Sequence, residues 1–299
     1  MPVTTRYHAE YAWLGGDTVA RDVSIEIADR RFTAVLPDAP PSGERLPGLT
    51  LPGLANAHSH AFHRALRGQT ASGGTFWTWR DRMYQIAARL DPDSYHHLAR
   101  AVFGELALAG ITCVGEFHYL HHAPGGIRYA DRNAMGHAVI AAARDAGIRI
   151  TLLDTLYLTS TVDGDPLDGP QRRFGDGSVD AWRDRVGELK PEEPARIGTA
   201  AHSVRAVPAD ALAMLAPTGP FHVHVSEQPA ENAACIARYG CSPTELLDRA
   251  GLLGPGTTAV HATHLSTVDE RLLGGTGTSV CLCPTTERDL ADGIGLARA

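Results

Sequence analysis

A chain of 299 residues with 43% hydrophobic and 20% charged side chains has material for one large domain, or one large and one small, of ordinary globular composition. The net charge of −7 argues against a nucleic-acid surface, which needs clustered Lys and Arg, and no stretch approaches the ~18 uninterrupted apolar residues of a membrane span. The nearest basic run, Gln171-Arg172-Arg173, is short and set among Asp and Gly, so it reads as a solvated loop.

In chain order, the N-terminal MPVTTRYHAEYAWLGG lacks the basic region and apolar run of a secretion signal. Residues 7–13, 23–27 and 32–36 are apolar or alternating runs separated by Gly-Gly, Asp-Arg and the Pro-rich DAPPSG, and they predict a small β module over residues 1–48. From Leu49 the pattern changes. LTLPGLANAHSH is an apolar run ending in a histidine pair, and DPDSYHHLARAVFGELALAG has the Asp-Pro start, helical apolar spacing and closing Gly of a helix. GITCVGEF follows as a strand. Five further helix–strand pairs are NAMGHAVIAAARDAG with IRITLLDTLY, VDAWRDRVGELK with ARIGTAAHSV, PADALAMLA with FHVHVSE, SPTELLDRAG with TTAVHATHL, and STVDERLLGG with TSVCLCP.

The count is seven strands, and the alternation predicts parallel strands with helices outside. A doubly wound sheet and an eight-stranded barrel both produce it. Polar residues at the ends of at least five strands favour the barrel, which gathers all strand ends around one mouth. The expected fold is therefore α/β: a (β/α)8 TIM-type barrel over residues 49–299, lacking its last strand, after the N-terminal β module.

Histidine is the unusual count, at 15. His58 and His60 end the first barrel strand as H-S-H, and residues two apart on a strand point the same way, so both imidazoles can reach one ion. In FHVHVSE, His224 lies nearer the strand end and is the better ligand, with His222 one layer deeper in the core. Glu227, three residues on, is placed to shuttle protons. His261 in VHATHL can aim at water on the ion, whereas His264 falls in the following loop. His202 ends another strand, with Arg205 three residues later. A single such histidine is more often structural, but four strands ending in histidine make that reading poor for the set. The combined chemistry is hydrolytic: an imidazole-held, zinc-like ion lowers the pKa of bound water from ~15.7 toward ~7. The five cysteines, Cys113, Cys235, Cys241, Cys281 and Cys283, are odd in number and without paired C-x-x-C spacing, which predicts reduced, buried thiols in a cytoplasmic protein. Cys281 and Cys283 share a strand face and read as core thiols rather than metal ligands.

LPGLANAHSHAFHRALRG, followed in order by AHSVR, HVHVSEQ and VHATHL, resembles the amidohydrolase superfamily, and the N-terminal module is similar to the small β-sandwich those enzymes carry. FWTWRDRMY, EFHYLHH and CPTTERDLADGIG resemble the N-formimino-L-glutamate deiminase family within it. The likeness covers essentially the whole chain. It implies one zinc ion held by His58, His60 and His224 plus an aspartate on an eighth strand, Glu227 as proton shuttle, and His261 orienting the water. It also implies that Arg80, Tyr119, His202 and Arg205 bind substrate, with His63 at a position where some members carry glutamine. The reaction implied is deimination of N-formimino-L-glutamate to N-formyl-L-glutamate and ammonia, in histidine degradation. The expected partner is thus a small molecule carrying carboxylates, with a homodimer as the candidate assembly and neither nucleic acid nor membrane.

With seven strands counted and no ligand assigned among Glu287, Asp289 and Asp292, little or no activity is expected of these 299 residues. The competing readings are another amidohydrolase-type deaminase and a catalytically silent fragment. Convergence of Arg80 and Arg205 beside the metal site separates the first from a dicarboxylate enzyme.

Overall fold

The first sheet is built from β1 (Thr5–Ala12), β2 (Ala20–Ala28), β3 (Arg31–Leu36) and β4 (Glu44–Thr50), with buried residues concentrated in β1 and β2. The structure is a computed structural model that describes residues 3–69, 76–190 and 195–295, without the side chains of 76 and 77. The strand order is β3-β2-β1-β4, with β4 parallel to β1 and the other pairs antiparallel. Ala9, Ala12, Val23 and Ile25 form its small core. Gly43 is obligatory at the entry to β4: its φ is +81° and a Cβ there would meet Arg6 O at 2.3 Å. Because β4 closes this sheet, the compact unit runs Met1–Leu54, and the expected boundary at 48/49 falls inside β4.

The second unit, Ala55–Ala299, contains β5 (Leu54–Ser59) except its first residue, then β6 (Ile111–His118), β7 (Arg149–Leu156), β8 (Ala195–Ala201), β9 (Phe221–Val225), β10 (Thr257–His261) and β11 (Ser279–Cys281). They form one seven-stranded sheet in strictly sequential order, parallel in every recorded pair of this sheet. This is the arrangement of a TIM-type barrel. The helices between them are α1 (Phe76–Ala87), α2 (Pro92–Leu108), α3 (Ala134–Ala146), α4 (Val179–Gly187), α5 (Ala209–Ala213), α6 (Pro229–Tyr239), α7 (Pro243–Arg249) and α8 (Thr267–Thr276), with α9 (Pro284–Leu290) after β11. Local chemistry sets their ends. Asp91 and Ser94, Ser242 and Glu245, and Ser266 and Asp269 form reciprocal caps on α2, α7 and α8. Where β5 passes β6, a Cβ on Gly115 would meet Ala57 O at 2.5 Å, so only glycine permits that approach.

Two apolar clusters fill the unit. One joins Phe103, Val114, Phe117, Leu152 and Leu153; the other joins Trp182, Phe221, Val223, Val225 and Leu247. Each such side chain contributes roughly 1.5–3 kcal/mol on burial. No helix among the described residues is long and apolar enough to cross a membrane.

The Gln171-Arg172-Arg173 run differs from expectation. Gln171 and Arg173 are buried; Arg173 donates to the carbonyl oxygens of His122 at 2.7 Å and Leu90 at 2.6 Å, and to that of Ala87. Three backbone acceptors offset its desolvation, so Arg173 is an internal clamp, while Arg172 alone of the run stays exposed. In CPTTERDLADG, α9 occupies Pro284–Leu290.

Candidate metal centre

The end of β5, the end of β9 and the 3₁₀ turn after β5 carry the three imidazoles to one point. His58 Nε2 and His60 Nε2 are 3.0 Å apart, His60 and His224 3.2 Å, and His224 and His58 3.3 Å. His60 donates Nδ1–H to Phe117 O at 2.9 Å and His224 donates Nδ1–H to His202 O at 2.8 Å, which leaves both Nε2 atoms as lone pairs. Burial lowers the pKa of all three, that of His60 to about 4, so the neutral form persists at physiological pH. Facing lone pairs at this distance repel unless a cation sits among them. Donors on a tetrahedral ion with metal–nitrogen bonds of ~2.0–2.1 Å lie ~3.3 Å apart, and the triangle matches that spacing. These residues fit a divalent cation. Among the described residues no carboxylate belongs to this donor group.

Strand β10 ends beside the triangle. His261 has φ 69° and Ala262 φ 52°, and Ser226 after β9 has φ 51°. Left-handed backbone at non-glycine residues costs ~1–3 kcal/mol each, and here it turns the strand ends over the site. His261 stacks on His224 with ring centroids 5.4 Å apart. Its Nε2 lies 3.5 Å from Glu227 Oε1 and its Nδ1 3.4 Å from Glu287 Oε1. Burial opposes its charge, but Glu227 and Glu287 win and raise its pKa. Burial likewise pushes Glu227 up, yet His261 and Arg205 hold its pKa below the ordinary value. Arg205 donates to Glu227 Oε2 at 3.0 Å, and its other nitrogen lies 3.4 Å from Glu231.

A cavity of about 880 Å³ opens over this group. His63 Nε2 and Tyr119 Oη are 2.7 Å apart within it, and the His202 ring lies 4.6 Å from Tyr157 and 5.3 Å from Tyr119. Arg80 and Arg205 both line it. The Arg80 guanidinium lies over the Tyr84 ring, 5.6 Å from its centroid. All ten residues singled out in the sequence (His58, His60, His63, Arg80, Tyr119, His202, Arg205, His224, Glu227 and His261) line this cavity. His222 is buried but stands outside the triangle, and His264 bonds the backbone oxygen of Asp292.

Sequence reading missed the aromatic wall of Trp79, Tyr84, Tyr157 and Phe174 and the acids Glu116 and Glu231, and it weighed Glu287 without giving it a role. Glu116, fully buried and pushed up to about 8 by desolvation, accepts from Ala61 N at 2.6 Å and fixes the turn after His60. Its place on the strand before His118 was the available signal. Cys281 and Cys283 are half-buried and line the cavity, which corrects their reading as core thiols; Cys283 is past the strand, at the start of α9. All five cysteines are free. A second donor group, His118, His121 and Asp154, is sealed. Arg185 donates to both Asp154 oxygens at 2.8 and 2.9 Å and to Asp176 at 2.9 Å. It is a buried ion network behind the site.

The amidohydrolase family profile matches residues 49–299. The chain is similar to the formimidoylglutamate deiminase of Pseudomonas aeruginosa, 38% identical over 288 residues, 92% of this chain and 63% of that protein. It is similar to the 8-oxoguanine deaminase of the same organism at 26% identity, over 82% of this chain and 55% of that one. An amidohydrolase structure from Brucella melitensis superposes with a TM-score of 0.88 at 35% identity, covering 98% of this chain and 68% of that one. The chain thus spans less than two thirds of the curated relatives.

Proposed function

This chain belongs to the amidohydrolase family, and from that premise we propose that the protein carrying it is a zinc-dependent hydrolase that deiminates N-formimino-L-glutamate to N-formyl-L-glutamate and ammonia in histidine degradation. The observation that carries the reading is one cavity lined by three clustered imidazoles, a buried carboxylate and two arginines. The likeness to a formimidoylglutamate deiminase at 38% identity supports it. Zinc suits an all-imidazole triangle at tetrahedral spacing. When bound, the ion supplies Lewis acidity and acidifies water toward neutral pH.

The rest is the work of the chain's own residues. Arg80 and Arg205 bind the two carboxylates of a glutamate-derived substrate, since guanidinium groups pair with carboxylates bidentately. Tyr119, His63 and His202 pack the substrate chain between them. Glu227, kept ionised by His261 and Arg205, takes a proton from the attacking water and passes it to the departing nitrogen. His261, whose pKa Glu227 and Glu287 raise against burial, orients that water and stabilises developing negative charge. The new C–O bond forms at the amidine carbon, the bond to the terminal nitrogen breaks, and ammonia leaves.

The test is ammonia release from a panel of formimino amino acids. N-formimino-L-glutamate should give the highest kcat/KM. Equal rates with a formimino acid lacking the side-chain carboxylate would refute the dicarboxylate reading.

A further inference from the structure

We propose that His261, Cys283 and Glu287, with Cys281 beside them, form a second cation site of thiolate character that competes for His261. The donor atoms of His261, Cys283 and Glu287 all lie within 4.8 Å of one another, in a group separate from the imidazole triangle. Glu287 Oε1 stands 3.4 Å from His261 Nδ1 and accepts Cys283 N–H at 2.8 Å, so the carboxylate is fixed between the other two donors. The Cys283 thiol donates to the backbone oxygen of Cys281 at 3.8 Å, which keeps the two cysteines side by side. Thiolate, imidazole and carboxylate together suit a borderline-soft divalent ion such as zinc or cadmium.

Accessibility separates this group from the sealed one behind the site. Cys281 and Cys283 are half-buried and line the cavity, so an ion from solvent reaches them. His118, His121 and Asp154 are closed off and already neutralised by Arg185. The consequence follows from the two faces of His261. Its Nε2 lies toward Glu227 and its Nδ1 toward Glu287. An ion held at Nδ1 draws the ring toward Glu287 and away from Glu227. Occupation of the second site therefore inhibits; this consequence rests on the deiminase reading, whereas binding rests on the donors alone.

Cd²⁺ titrated into the zinc-loaded protein tests both, with bound metal counted by elemental mass spectrometry and sulfur-to-cadmium charge transfer followed in the ultraviolet. The expected result is one further ion per chain, with a charge-transfer band that saturates with it. Cys283→Ser should weaken that ion by at least ~100-fold, the top of the range for losing a mere supporting partner, and Glu287→Gln should weaken it while keeping the band. No further ion, or a band unchanged in the Cys281→Ser/Cys283→Ser double variant, overturns the site. In parallel, the second ion should lower ammonia release from N-formimino-L-glutamate in the wild type and not in Cys283→Ser. Undiminished turnover with that ion bound overturns the competition for His261. Absence of any deimination defeats the substrate reading alone, and the ion count and the band still decide the site.

Discussion

Glu227→Gln removes the carboxylate on which the proposed proton transfers depend while keeping the side chain's volume. A positioned general acid–base contributes ~10²–10⁴-fold, or ~2.7–5.4 kcal/mol. The neighbourhood of Glu227 places the loss toward the upper end. His261 at 3.5 Å is shared between Glu227 and Glu287, and Arg205 at 3.0 Å is a pure donor that cannot act as a base. Glu231 pairs with the other nitrogen of Arg205, and Glu287 sits across His261 at Nδ1. The expected fall in kcat is therefore ~10³–10⁴-fold. KM should change by only a few-fold, because the amide oxygen still accepts from Arg205. The assay is ammonia release at saturating N-formimino-L-glutamate, with bound zinc measured on the same sample so that lost rate is not lost metal. A kcat within tenfold of wild type at full metal occupancy refutes the proton-shuttle role.

Four further predictions concern the metal, the substrate and the fold. His224→Ala should abolish zinc retention on dialysis, since two imidazoles do not make a closed site; retained stoichiometric zinc contradicts the triangle. Arg205→Lys should raise KM for N-formimino-L-glutamate by ~10–100-fold, because an ammonium cannot offer a bidentate fork, and an unchanged KM argues against carboxylate binding there. Arg185→Met should cost ~3–5 kcal/mol by leaving Asp154 and Asp176 buried without their cation, a Tm fall of roughly 6–20 °C in thermal denaturation; a fall under ~2 °C contradicts it. In the intact network burial pushes both acids up, but Arg185 and the adjacent histidines hold them below the ordinary value. With folded pKa values below the unfolded ~3.9, their stabilisation is present above about pH 4 and is lost as pH falls through the folded values. Urea midpoints should drop steeply below about pH 4 in wild type and less so in Asp154→Asn.

Much of the barrel was legible because its central parallel strands are apolar runs that declare themselves locally. FHVHV and ITLL are buried along nearly their whole length. β4 was not legible: ERLPGLT carries a Pro and a Gly and is mostly exposed, as an edge strand tolerates. α6 was also not read from the sequence, and of its residues only Glu231 and Cys235 are buried. The metal triangle was visible through its two-residue spacings, which strand geometry converts directly into a shared direction. Arg173 was misread because its partners are carbonyls 51, 83 and 86 residues away in the chain. The cysteine pair was misread for a related reason: the strand ends at Cys281, and α9 then carries Cys283 to the cavity wall. Local composition cannot report partners that only the closed fold supplies.

The most direct test of the central proposal is the kcat/KM for ammonia release from N-formimino-L-glutamate by the zinc-loaded protein, set against N-formimino-glycine under the same conditions. If Arg80 and Arg205 hold two carboxylates over the imidazole triangle, the glutamate derivative should be preferred by ~100-fold or more, as expected when buried donors are left unpaired. Equal turnover of the two, or ammonia from neither while a cyclic amine is deaminated, would contradict it.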